Sequence, residues 1–136
     1  MATIDAVVQR IVTDVSGVTG IKLAHTYPPD SVNQDLQAVV YPINIIWAWG
    51  PEFGRKFVTF DVAIEVTCSI AADTARTVKA LVPFADSIPA ALFADEFLNA
   101  QVVEWDTITG GIGKRDQAGP LMLYLSVTGC QIESSL

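Results

Sequence analysis

The sequence predicts an α+β domain: a mainly antiparallel sheet of about four strands, helices packed on one face, and long hairpins projecting from it. Three observations predict this. Apolar residues recur at helical spacing over residues 4–15, and they alternate at strand spacing over residues 56–70. The elements follow in the order helix, strand, strand, helix, strand, strand, which suits helices laid over one sheet. The 136 residues fit a single domain spanning residues 1–136. A domain of that size hides roughly two-thirds of its unfolded surface.

The first helix carries Ile4, Val7, Val8, Ile11, Val12 and Val15 on one stripe, with Asp5, Gln9, Arg10, Thr13 and Asp14 opposite. Thr3 can cap its start and Gly17 can end it. Its many β-branched residues have modest helix propensity, so it depends on docking against a sheet. A short extended piece is expected around residues 21–24, and Pro28, Pro29 and Asp30 mark a turn.

The run "AVVYPINIIWAWG" is β-branched and aromatic, as strands are. As one regular strand it would put Val39, Tyr41, Ile43, Ile45, Trp47 and Trp49 on one face. Pro42 lacks a backbone donor and argues for an edge or a bulge. "GPEFGR" reads as a hairpin connection. The strand after it places Val58, Phe60, Val62, Ile64, Val66, Cys68 and Ile70 on a covered face. Thr59, Asp61, Ala63, Glu65, Thr67 and Ser69 fall on a wetter one.

Asp73 is expected to cap a second helix carrying Ala75, Val78, Leu81, Val82, Ala85 and Ile88. Pro83 and Pro89 each remove a donor, so a break near residues 83–87 and a second short helix to Ala94 are expected. Strands are predicted at residues 101–107 and 121–132, the latter with Leu121, Leu123, Leu125 and Val127 on one face.

Between those strands lies "TGGIGKRDQAGP". A phosphate-binding loop needs a strand before it, a helix after it, and Ser or Thr following the lysine. Here Lys114 precedes Arg115, the next element is a strand, and Gly110, Gly111 and Gly113 have the wrong spacing. A flexible hairpin arm fits instead, either solvated or offering Lys114 and Arg115 to a partner.

Catalytic chemistry finds little purchase. His25 is the sole histidine, which excludes a histidine-rich metal site, and no Gly-x-Ser-x-Gly elbow accompanies it. Asp61 with Glu65, Asp95 with Glu96, and Glu104 with Asp106 read as solvated or interface carboxylates rather than acid–base pairs. Cys68 falls on the apolar face of its strand; Cys130 falls on the opposite face of its own unless Gly129 introduces a bulge. Strands with cysteines on opposite faces cannot be bridged. No cofactor and no metal are expected.

The charged fraction is 17%, against about 25% in an average soluble domain, which implies either a well-filled core or a surface partly covered by other subunits. The net charge of -7 disfavours binding to phosphate backbones. The longest uncharged stretches, residues 36–51 and 117–132, fall short of a membrane span, and Asp5 stands where a signal peptide would be basic. Trp47 and Trp49 lie beside a turn, where large aromatics serve as interface anchors or as ordinary core residues. With Phe53, Arg55, Lys114 and Arg115 they form the predicted subunit or partner surface.

An opening amphipathic helix, the Pro-bearing strand "AVVYPINIIWAWG", the alternating "RKFVTFDVAIEVTCSI", the helix "ADTARTVKALVPFADSI" and two closing strands around a Gly-rich arm follow in turn. This order resembles the tail terminator and tail-completion, or head–tail joining, proteins of long-tailed bacteriophages. The resemblance implies a non-enzymatic structural protein of the virion, assembled in the host cytoplasm. It implies a ring, usually of six subunits, that caps the tail tube, ends its polymerisation and joins the tail to the head connector. DNA would pass through without specific binding, and no membrane is involved. Two alternatives stand beside it: another neck, connector or tube subunit of the same virion, or a small-molecule-binding module with a Trp-lined pocket.

Overall fold

The computed structural model describes residues 3–26, 36–50, 54–67, 74–95, 98, 102, 104–114 and 121–134. Helix α1 (Ile4–Ser16) starts where its cap predicts: extended Thr3 accepts a hydrogen bond from the Ala6 N–H at 3.1 Å. Such a cap contributes about 1 kcal/mol. Gly17 ends the helix, its N–H reaching the Thr13 carbonyl. Val7, Val8, Ile11 and Val15 are buried against the sheet.

Five strands form one mixed sheet in the order β1-β2-β3-β5-β4, and the two described helices complete an α+β fold. The strands are β1 (Leu23–His25), β2 (Gln37–Trp49), β3 (Lys56–Thr67), β4 (Ile108–Lys114) and β5 (Leu121–Ser134). The strand beyond the expected four is β1, the short extended piece, which pairs parallel to β2; the other pairings are antiparallel. The turn at Pro28, Pro29 and Asp30 lies outside the described residues, as does Cys68. The β2–β3 hairpin closes through a 2.7 Å bond from the Gly50 N–H to the Arg55 carbonyl.

Helix α2 (Thr74–Ala94) runs unbroken through Pro83 and Pro89, where a break was expected. Each proline costs about 3 kcal/mol in a helix interior. Here the carbonyls that lose their donors belong to Lys79 and Ala85, both at exposed positions open to solvent. Against that cost, Leu81, Phe84, Ile88 and Leu92 form a buried stripe on the core, and burying one such side chain is worth about 1.5–3 kcal/mol. Its expected cap, Asp73, lies outside the described residues. By length and composition alone, α2 is apolar enough over Ala75–Ala94 to cross a bilayer, yet only 28% of that span is buried. The outer side of α2 therefore leaves apolar groups such as Val82 and Phe93 uncovered.

Both helices lie on one side of the sheet, α1 over β1 and β2, α2 over β5 and β4. An ion pair joins them: Arg10 Nε donates to Asp95 Oδ2 at 2.7 Å, and Arg10 also lies 3.7 Å from Asp14 Oδ1. Burial, together with the neighbouring Asp95 carboxylate, pushes the Asp14 carboxyl up to about 7. Asp14 Oδ2 is buried and accepts no hydrogen bond, so protonation converts a stranded acceptor into a donor facing Asp95.

The strand predicted at residues 101–107 is displaced. Among the described residues of that stretch, Glu104 forms an isolated bridge to Gln131 of β5, and Asp106 and Thr107 hydrogen-bond to Thr128, but no regular strand forms. The strand is instead the glycine run itself, β4. Packing explains this reversal of a low strand propensity. A Cβ at Gly110 would lie 2.2 Å from the Tyr124 carbonyl oxygen, so only glycine permits this approach to β5. The Tyr124 side chain also lies against Gly111 and Gly113.

Candidate functional site

The β2–β3 hairpin leads to the first candidate surface. Along β2, residues 37–40 are buried, whereas Ile46, Trp47 and Trp49 are 61%, 63% and 72% exposed. The change follows a bulge. Register shifts between Ile43 and Ile46, with Asn44 at φ 54°. Val39, Tyr41 and Ile43 therefore share the face opposite the helices, while Ile45 turns inward to the core. Trp47 pairs with Val58 and Trp49 with Lys56, so both tryptophans emerge on the helix side, separated from the face that a regular strand would have given them.

The neighbouring strand β5 bulges at the same level, opposite Phe60 and Val62, with Gly129 at φ 72°. One carboxylate ties both irregularities. Asp61 Oδ2 accepts from Asn44 Nδ2 at 2.9 Å, and Oδ1 accepts from the Gly129 N–H at 3.0 Å. The β5 bulge turns Cys130 and Ile132 into the core. Cys130 is thus a buried free thiol, pushed up to about 12 by burial and by the nearby Asp61 charge, and poorly suited to redox chemistry.

Around the hairpin end, Lys56 Nζ lies 5.2 Å from the Trp49 ring centroid. Arg55 grips Glu133 with both ends of its guanidinium, at 3.1 and 2.7 Å, and lies over the Phe57 ring. That pairing holds the Glu133 carboxyl below its ordinary range. Arg55 is therefore occupied within its own chain. Phe53 and Arg115 lie outside the described residues. Lys114 is exposed at the end of β4, opposite Leu121 and on the other edge of the sheet, so it does not join the tryptophans.

The second surface was not foreseen. A groove of about 490 Å³ lies between α2 and β4. Ala85, Pro89 and Phe93 form one wall, and Ile108, Gly110 and Ile112 the other. Leu123 and Leu125 floor it. Gly110 lies between Ile108 and Ile112 along this wall. Trp105 stacks on Phe93 with ring centroids 5.2 Å apart. Trp47 and Trp49 do not line this groove, so the predicted Trp-lined pocket is not formed there. Its sequence signal was present in Phe93, which falls off the core stripe of α2.

Several of the candidate acid–base groups have structural partners. Asp61 holds the bulges, and Glu65 accepts from the Tyr41 hydroxyl at 2.6 Å. Glu104 and Asp106 are exposed, and Asp95 pairs with Arg10; Glu96 lies outside the described residues. His25 pairs with Val39 in β1, its Nε2 buried without a hydrogen bond. Among the described residues, no three His, Cys, Asp or Glu side chains are grouped to hold a metal ion.

No protein-family model matches the chain, and a search of curated proteins finds no match.

Proposed function

We propose that this chain is a structural ring subunit of a long-tailed phage, acting as a tail terminator or head–tail joining protein. In this reading several copies close into a ring, usually six, on the last layer of the tail tube. The ring stops tube growth and meets the head connector, and its acidic surface lets DNA pass without adhering. One observation carries the reading: Trp47 and Trp49 are exposed side by side on the helix face at the end of a long hairpin, with Ile46 exposed on the other face, in a chain short of charge. A contiguous exposed apolar end of this kind marks an interaction site. Ring closure needs a heterologous contact between two different patches, and a sheet with a hairpin end on one edge and a groove on the other offers both.

The test is electron microscopy of the purified chain mixed with tail-tube protein. Tubes of limited length with an extra ring at one end support the reading. Unlimited tubes with no added ring contradict it, and unlimited tubes built from this chain itself would make it a tube subunit. A small-molecule module is the second reading, favoured by the groove volume. Thr109 is the polar side chain in its lining, which gives little to orient a polar ligand.

A further inference from the structure

We infer that the Trp47/Trp49 hairpin end of one copy seats in the groove between α2 and β4 of a second copy. The inference rests on the self-assembly in the proposed function and names the contact that would produce it. The hairpin end and the groove lie on opposite edges of the sheet, so a chain presents both to its neighbours. Both are on the helix side: Trp47 pairs with the core residue Val58, and the groove lies under α2.

Area and charge agree with this occupant. Two tryptophans bury about 300–500 Å² between them. That is about half of the roughly 800 Å² per partner in a standard interface. The uncovered outer side of α2, including Val82, extends the apolar contact. Lys56 accompanies Trp49 at the hairpin end. Exposed Glu104 and Asp106 flank Trp105, which stacks on Phe93 at one end of the groove wall. A hairpin entering with Lys56 toward Trp105 brings opposite charges together, while Lys114 marks the other end of β4.

Complementation of two variants tests the contact. Trp47→Ala with Trp49→Ala removes the anchors from exposed positions. Ala85→Arg, also at an exposed helix position, obstructs the groove. Unchanged thermal unfolding and circular dichroism verify that each variant folds. By sedimentation velocity, the wild type should associate, and each variant alone should associate at least about 30-fold more weakly. Mixed one to one, the intact hairpin of the Arg variant can enter the intact groove of the Ala variant. The mixture should form a heterodimer that grows no further.

A wild type that stays monomeric at millimolar concentration overturns the inference. So does wild-type association by either variant, or a mixture that stays monomeric. A Lys56→Glu chain should lose association and regain it with a Glu104→Lys, Asp106→Lys partner; failure of that rescue overturns the proposed direction of entry. The two readings fail separately. Variants that still cap tail tubes sink this contact and leave the ring. A chain that complements as described but stops at a reciprocal dimer, or ignores the tube, sinks the ring and leaves the contact.

Discussion

The two ends of β2 belong to one strand, yet they meet different fates. At one end Gln37, Ala38, Val39 and Val40 are buried, with β1 and β3 alongside and α1 packed on the strand. At the other, Ile46, Trp47 and Trp49 are exposed although they are the larger apolar groups. Hydrophobicity alone does not set burial along β2: Gln37 and Val39 are buried even on the face opposite the helices, whereas the larger Trp47 and Trp49 are exposed on the helix side. In the proposed contact a second copy covers this exposed hairpin end.

The sharpest way to break this comparison is paired truncation. Phe60→Ala, in the buried middle of β3, should cost about 3–5 kcal/mol in denaturant unfolding. Trp47→Ala with Trp49→Ala should leave monomer stability within about 0.5 kcal/mol. Similar losses at both sites would mean that the tryptophans already support the fold.

The boundary between the two ends is the bulge pair tied by Asp61. Asp61→Ala strands the Gly129 N–H and the Asn44 amide, and should cost about 1–3 kcal/mol. Because the same bulge turns Cys130 inward, thiol labelling of Cys130 should accelerate in that variant. Unchanged labelling would show that Gly129 holds the bulge unaided.

A smaller effect comes from the α1–α2 junction. The Asp14 carboxyl is raised in the folded chain to about 7 from an ordinary 3.8. The folded state therefore binds the proton more tightly between those values. This contribution is full below pH 4, declines as pH rises, and is gone above pH 7. Its slope is at most about 1.4 kcal/mol per pH unit. Solvent exposure reduces the total to the order of 1 kcal/mol. Asp14→Asn should flatten that segment of the stability–pH curve; an unchanged slope would exclude Asp14 as its source. The smallest expected effect is at Arg55. Its pair with Glu133 is solvent-exposed, so Arg55→Ala should leave unfolding unchanged within error.

Legibility in the sequence divides along a similar line. Thr3, Gly17 and the alternation of β3 act locally, and α1, β3 and the α+β class were readable from them. The continuity of α2 was not, because a proline's cost is local while the offsetting burial of Leu81, Phe84, Ile88 and Leu92 is tertiary. Nor was β4, where Gly110 allows a close approach to the Tyr124 backbone of β5 that no local signal shows. Trp47 and Trp49 stood out by residue type. Their face did not, since it depends on Asp61 bridging two other strands. The groove was hidden because its walls come from separate elements, α2 and β4.

The most direct measurement is acrylamide quenching of tryptophan fluorescence in the wild type across a concentration series. If the hairpin end is covered by a second copy, quenching should fall as concentration rises, and the fall should vanish in the Trp47→Ala, Trp49→Ala chain, which keeps Trp105. Quenching that stays constant from dilute to concentrated protein would contradict the account.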